Sequence, residues 1–129
     1  MNETSIPDAF LAALTARDFG RLAECLAPSA QARLLLPHGP EVQSGRDDIV
    51  RRIQGWFASG SDYSVLDSSH DPVGLRHRVS WRLRMSRNGQ PPEIVEQVAF
   101  IDVGPDGITR IDLLCSGFMP DESVASCAA

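Results

Sequence analysis

The chain has 129 residues, of which 43% are hydrophobic and 22% charged, as expected of one soluble globular domain with one core. The formal net charge of -5 argues against nucleic-acid or anionic-membrane partners, and no apolar stretch approaches the roughly 20 residues that span a bilayer. Cys25, Cys115 and Cys127 are too few and too scattered for a disulfide framework or a zinc site. We therefore expect no metal, no cofactor, no signal peptide and a cytoplasmic location.

Two helices are predicted at the start of the chain. Ser5-Ile6-Pro7-Asp8 is typical of a capping box with proline in the first turn, and helical spacing then continues to about Ala16. Asp18 can cap a second helix with Leu26 on its apolar face, which Pro28 should end.

A strand and a third helix come next. The run Gln31–Leu36 predicts a strand, and Pro37-His38-Gly39-Pro40 should stop it. Ser44-Gly45-Arg46-Asp47 is a second capping signal. The apolar stripe from Ile49 to Phe57 predicts helix three.

Four strands in a meander are predicted for the rest of the chain. Residues 63–71 and 77–85 alternate between apolar and polar, and the alternation in the second run is strict. Runs 93–103 and 108–115 flank a Gly-Pro-Asp-Gly turn, which is typical of a hairpin.

This pattern predicts an α+β fold with the order α-α-β-α-β-β-β-β. The expected architecture is a cone-shaped, curved antiparallel sheet packed against three helices in the N-terminal half. Residues 1–118 should form the single domain, and residues 119–129 should be a flexible tail.

Three segments, taken in their order and spacing, resemble the SnoaL-like branch of the nuclear-transport-factor-2-like superfamily. They are Phe10–Phe19, Gly45–Ile49 and Gly107–Ile111. The resemblance implies a pocket between the helices and the inner face of the sheet, and it implies which residues line that pocket. These ligand-binding candidates are Phe10, Leu14, Leu34, Leu36, Trp56, Phe57, Val79, Trp81, Leu83, Gln97, Ala99, Leu113 and Cys115.

The catalytic groups of this superfamily are not matched in the chain. The carboxylate base and the two oxyanion donors of the steroid isomerases fall on Leu36, Phe10 and Ala99, which cannot exchange a proton. The Asp–Arg–Asp set of limonene-epoxide-hydrolase-like members falls on Trp81, Val79 and Leu113. The scaffold hosts enzymes and non-catalytic binders alike, so the resemblance leaves open whether this protein is an enzyme.

Carboxylates would enter the pocket only if the facing of the strands were shifted by one residue. Glu96, Asp102, Arg110 and Asp112 would then turn inward, and the site would be rich in acid and base groups. We assign them to the outer face, because the apolar side of the strand that carries Trp81 requires an apolar face on the neighbouring strands.

Few polar groups remain for the interior. Gln97 either ties down Trp81 or orients a ligand, while His38 near the cavity mouth and Tyr63 are weaker candidates for catalysis. His70 and His77, with Asp71 nearby, do not have the spacing of a metal site.

The outer face of the sheet combines apolar and charged side chains. An apolar centre ringed by charges is typical of a dimer interface, so we expect a homodimer. The residues concerned are Val98, Phe100, Leu114, Arg82 and Arg84.

Two interpretations of function follow. In the first, a SnoaL-like protein binds a small hydrophobic metabolite in an apolar cavity, with or without isomerase-, cyclase- or hydrolase-like turnover. In the second, the chain is a non-catalytic dimeric binding or interaction module whose cavity is filled by its own side chains.

Overall fold

The computed structural model describes residues 5–121. Its three helices are α1 (Ser5–Thr15), α2 (Phe19–Glu24) and α3 (Arg46–Phe57). Its strands are β1 (Leu26–Leu36), β2 (Gly39–Ser44), β3 (Ser61–Val73), β4 (Arg76–Ser86), β5 (Glu93–Gly104), β6 (Gly107–Cys115) and β7 (Met119–Pro120). The predicted α+β class is confirmed, with three helices packed on a curved, unclosed sheet of seven strands. None of the described helices is long and apolar enough to cross a membrane.

The second helix is shorter than its sequence predicts. Asp18 caps it as expected, because its carboxylate accepts the backbone N–H of Arg21 at 3.2 Å. The helix ends at Glu24, however, and Leu26 and Pro28 belong to β1. The pairing of β1 with β6 is irregular between Leu26 and Gln31, so a proline there interrupts no regular ladder.

Strand β2 was not predicted. It turns back from β1 at Gly39 and forms the edge of the sheet, with Leu34 opposite Glu41. Pro40 suggested a break, but an edge strand tolerates proline because its outer side needs no N–H donor. The element order therefore has one more strand before α3 than expected.

The strands lie in the order β2-β1-β6-β5-β4-β3, and β7 pairs with β5. The expectation of a wholly antiparallel sheet is wrong at one place, because β1 and β6 run parallel. The meander β3–β6 starts at the far edge, and its last strand arrives beside β1 in the same direction. At this junction the N–H of Ile108 donates to the carbonyl of Cys25 at 2.8 Å.

Burial shows which face of each strand points inward. Trp81 and its neighbours on the same face of β4 are at most 1% exposed, and Gln97 and Ala99 on β5 are fully buried. Glu96 lies on the outer face, where its carboxylate pairs with Arg82 at 2.7 Å. The facing assigned from the sequence is therefore correct, and the shifted alternative is excluded.

Met119 and Pro120 are part of the sheet, and Asp121 follows them, although we expected the tail to begin at residue 119. Met119 pairs with Ile94 in the short strand β7, and the buried Asp121 forms an ion pair with Arg84 at 2.9 Å. The rest of the predicted tail lies outside the described residues.

Candidate functional site

The predicted ligand-binding residues converge on one cluster between the helices and the inner face of the sheet. They come from α1, β1, α3, β4, β5 and β6, and all are buried except Trp56, which packs against the cluster from its edge. We call this cluster the interior. Its side chains are apolar except for that of Gln97.

Aromatic rings fill much of the interior. Phe10 packs on Trp81 with ring centroids 6.2 Å apart, and Phe57 lies between Trp56 at 5.9 Å and Phe118 at 6.3 Å. Aromatic side chains that were expected to line a cavity therefore pack on one another, Phe10 on Trp81 and Trp56 on Phe57. Two grooves of about 510 and 810 Å³ lie instead on the opposite, outer face of the sheet.

Gln97 and Trp81 form the central polar contact of the interior. They are directly opposite each other on β5 and β4, and the indole Nε1–H donates to the amide Oε1 at 2.9 Å. An indole N–H can only donate, so the amide oxygen has to face it. The amide Nε2 then points away, and it has no hydrogen-bond acceptor among residues 5–121.

The neighbour of Gln97 on its other side is Cys115 of β6. Its Sγ accepts the backbone N–H of Gly117 at 3.3 Å. This thiol is buried and hydrogen-bonded within its own turn, which is the environment of a packed cysteine and not of an activated nucleophile.

Tyr63 holds two elements together. Its hydroxyl donates to the carbonyl of Thr15 at 2.6 Å, and the Arg17 guanidinium stacks 4.1 Å from the ring centroid. Burial raises the pKa of Tyr63, and the charge of Arg17 only partly opposes this. The hydroxyl is thus committed to the α1–β3 contact and is poorly placed to act as an acid.

His38 lies exposed in the turn between β1 and β2. It follows Leu36, which is buried in the interior, but the two side chains point to different surroundings. The structure therefore gives His38 no contact with the interior polar pair of Trp81 and Gln97.

A chain of hydrogen bonds that the sequence did not indicate links Asp8, His70 and His77. Nδ1 of His70 lies 2.8 Å from the Asp8 carboxylate, and its Nε2 lies 3.0 Å from Nδ1 of His77. Asp71, considered from its proximity in sequence, instead pairs with Arg78 at 3.8 Å. In residues 5–121 no group of three or more His, Cys, Asp or Glu could hold a metal ion.

The sequence profile of the SnoaL-like domain matches residues 8–111, which is most of the chain. The chain belongs to the SnoaL-like domain family. No protein of curated function matches it in sequence.

Solved structures of similar shape support this fold. One is a cystatin-fold protein from Novosphingobium aromaticivorans, 18% identical, with a TM-score of 0.68 and coverage of 88% of this chain and 97% of that one. A second, from Catenulispora acidiphila, has a ketosteroid isomerase-like fold and was solved with trimethylamine; it is 18% identical, with a TM-score of 0.67 and coverage of 87% and 85%. A third is a protein from Xanthomonas campestris, provisionally assigned as a polyketide cyclase, at 20% identity, a TM-score of 0.65 and coverage of 86% and 87%. At these identities the likeness shows the fold alone.

In this SnoaL-like domain, the positions matched to steroid-isomerase acid and base groups are buried and apolar. Phe10 and Ala99 are fully buried, and Leu36 is 5% exposed. Proton transfer at those positions is excluded by the residue types themselves.

The outer face of the sheet carries an ion-pair network centred on Asp112. Its carboxylate pairs with Arg33 at 2.7 Å, Arg76 at 2.8 Å and Arg110 at 3.3 Å. Partial burial would by itself raise the pKa of Asp112, but the hydrogen bonds from Arg33 and Arg76 and the charge of Arg110 lower it to about 2. Asp112 therefore stays ionised at any physiological pH.

The smaller outer-face groove lies beside this network. It has an apolar floor that includes Leu114, Leu35 and Val42, which are 55%, 52% and 63% exposed. The second groove continues across the same face past Arg82 and Glu96.

Proposed function

We propose that this SnoaL-like domain binds a small hydrophobic molecule in the interior, between the helices and the sheet. The observation that carries the proposal is the amide of Gln97, which is fully buried with its Nε2 unpaired among the described residues. An unpaired buried donor costs about 1–3 kcal/mol, and a guest that accepts its hydrogen bond removes that cost.

The rest of the interior suits an apolar guest. Its side chains can bury hydrocarbon surface, which contributes roughly 25 cal/mol for each Å² removed from water. No acid or base stands at the positions of Leu36, Phe10 or Ala99. Any turnover in this interior would rest on positioning and on exclusion of water, not on proton transfer.

Native mass spectrometry of the gently purified protein tests this function. We expect a mass above that of the bare chain, which disappears on denaturation, or a rise in melting temperature with added small apolar compounds, as linkage requires. Substitution of Leu114 by Asp, on the outer face, serves as the control and should leave this binding intact. Absence of both a retained molecule and a thermal shift would contradict the proposal.

The second candidate function is a non-catalytic dimeric interaction module with a filled interior. The ring contacts of Phe10 with Trp81 and of Phe57 with Phe118 favour it. The same experiment separates the two functions, because a filled module retains no small molecule and shows no thermal shift.

We also propose that two copies associate through the outer face of the sheet. Leu114 and Leu35 are half exposed there, and a stable interface buries roughly 800 Å² per partner. The charges on this face are already paired within each copy, as Arg82 is with Glu96, so the face adds little repulsion between two copies of net charge -5.

Light scattering after size exclusion measures this association. We expect twice the chain mass of 14.0 kDa for the natural protein and a single chain mass for Leu114→Asp, because a buried unpaired carboxylate opposes docking. The matched control is Leu75→Asp in the β3–β4 turn, where the leucine is 98% exposed and the dimer should persist. A natural protein of one chain mass at micromolar concentration would refute the dimer.

Cysteine usage supports a reducing compartment, and we propose the cytoplasm. Cys25 and Cys115 are both buried and unpaired. Burial raises the pKa of Cys25, although Arg21 partly opposes this, and so keeps it in the less reactive thiol form.

A further inference from the structure

We propose that His77 is a nucleophilic site for small activated acyl compounds, such as aryl esters. The hydrogen bonds that run from Asp8 through His70 end at this residue and leave one of its ring nitrogens with a free lone pair. We call these three residues the relay. The proposal goes beyond the proposed function and does not depend on it, because neither histidine belongs to the interior cluster.

The positions of the protons follow from the two bonds of His70 when both rings are neutral. An ionised carboxylate can only accept, so Nδ1 of His70, which lies 2.8 Å from Asp8, carries a proton. A neutral imidazole has one N–H, so Nε2 of His70 is an acceptor. It lies 3.0 Å from Nδ1 of His77, which therefore carries the proton of that bond. The remaining nitrogen, Nε2 of His77, holds a lone pair.

This nitrogen is accessible from solvent. His77 is half-buried on β4, yet its Nε2 has no hydrogen-bond partner in residues 5–121 and is not among the unpaired buried polar atoms of that part of the chain. Both nitrogens of His70, in contrast, are engaged in hydrogen bonds. His77 is therefore the member of the pair that can attack an external electrophile.

The relay also provides a place for the charge that an attack creates. An imidazole that forms a bond through Nε2 becomes a cation, and its Nδ1 proton can pass along the 3.0 Å bond to His70. The positive charge then lies beside the Asp8 carboxylate, and a charge-assisted hydrogen bond is roughly twice as strong as a neutral one. The two arginines that flank His77 along β4 are paired with carboxylates of their own.

Acyl transfer at this site balances in two steps. In the first, Nε2 of His77 forms a bond to the acyl carbon, the bond to the leaving group breaks, and the Nδ1 proton moves to His70. In the second, that proton returns to Nδ1, water adds to the acyl carbon, and the bond to Nε2 breaks. One ester and one water thus give a carboxylate, the leaving anion and two protons, which pass to the solvent.

The leaving group decides the class of substrate. A poor leaving group such as an alkoxide needs a general acid beside its oxygen. Within residues 5–121, the one hydrogen-bond partner of the His77 ring is His70, which bonds to Nδ1 and not to the attacking side. The site therefore suits acyl compounds whose leaving group departs as a stable anion, such as a phenolate or a thiolate.

Diethyl pyrocarbonate, an activated acyl donor that labels histidine nitrogens, tests the nucleophile in the natural protein. Peptide mass spectrometry gives the labelling rate of each histidine in the same chain. His38 is exposed in its turn and serves as the internal reference. We expect His77 to be labelled about tenfold faster than His38, which corresponds to about 1.4 kcal/mol in the barrier, and His70 to be labelled slowest. Equal rates at His77 and His38 would overturn the proposal.

Hydrolysis of para-nitrophenyl acetate tests turnover and the two positioning residues. His77→Gln should reduce the rate to that of the remaining histidines. Asp8→Asn can still accept the bond from His70 but lacks the charge, and His70→Gln can accept the bond from His77 but cannot take up its proton. Each should lower the rate about tenfold. The matched control is Asp71→Asn, which removes a carboxylate that pairs with Arg78 outside the relay and should leave the rate unchanged.

Nitrogen NMR of the imidazole rings of the natural protein separates the relay from simple packing and covers the case in which a variant fails to fold. Above the pH range in which histidines titrate, the protons should lie on Nδ1 of both His70 and His77. A proton on Nε2 of neutral His77, or an unchanged hydrolysis rate in Asp8→Asn, would overturn the proposal.

Discussion

Replacing Gly107 with alanine is expected to lower the free energy of unfolding by about 3 kcal/mol or more. Gly107 opens β6 with a φ of +118°, a conformation that side-chain-bearing residues rarely adopt. An added Cβ would also lie 2.7 Å from the carbonyl oxygen of Cys25 and 3.1 Å from the amide nitrogen of Ala27. Both contacts are backbone atoms, one just before β1 and one within it, so relief would require the start of β1 to move away from β6.

Gly39→Ala is the matched control for this substitution. Gly39 also has a positive φ, of +131°, but an added Cβ would meet nothing within 4 Å. The control therefore reports the backbone strain alone, which we expect to be about 1–2 kcal/mol. Urea denaturation of both variants gives the comparison, and equal losses would show that the close approach of β1 to β6 has no energetic weight.

The substitution Asp112→Asn is expected to destabilise the protein by about 2 kcal/mol at neutral pH. The asparagine keeps the shape of the side chain but loses the charge that Arg33, Arg76 and Arg110 share. Chemical denaturation at several protein concentrations measures this change and separates it from any contribution of subunit dissociation. Asp48→Asn is the control, because that carboxylate is 52% exposed and its pair with Arg51 should contribute less than about 0.5 kcal/mol.

The pH dependence of this contribution has a defined sign. The pKa of Asp112 is lowered on folding from 3.8 to about 2, so the folded state favours the ionised carboxylate. Its contribution is complete above about pH 4 and is lost as the pH falls towards 2. The stability difference between the natural protein and Asp112→Asn should therefore shrink over that range, and a difference that is constant with pH would contradict the assignment.

The sequence predicted the helices and those strands whose apolar and polar residues follow a regular local pattern. Strand β4 was predictable because its apolar and polar residues alternate strictly, and strict alternation indicates a strand rather than a helix. Strand β5 is mixed on both faces, and its inward side was assigned through the resemblance to known proteins and through the apolar partner that the strand of Trp81 requires. Strand β2 was missed because Gly39 and Pro40 are typical of a turn, and nothing in the sequence says that an edge strand would accept that proline.

The interior was predictable as a set of positions but not as a set of contacts. Once the inward face of each strand is assigned, alternation determines which residues of β4, β5 and β6 point inward. The bond between Asp8 and His70 joins residues 62 apart, so no spacing rule could suggest it. Whether Nε2 of Gln97 has a hydrogen-bond acceptor depends on the identity and orientation of each neighbouring residue. These neighbours become known only when the pairing of the strands is known.

The parallel junction of β1 with β6 has a consequence for synthesis on the ribosome. Arg33 and Asp112, which meet across this junction, are separated by 79 residues of chain. Until β6 has emerged, β1 can pair only with β2, and an isolated two-stranded hairpin is marginal in water. The final sheet therefore assembles by a contact of high sequence separation, which is a slow kind of folding step.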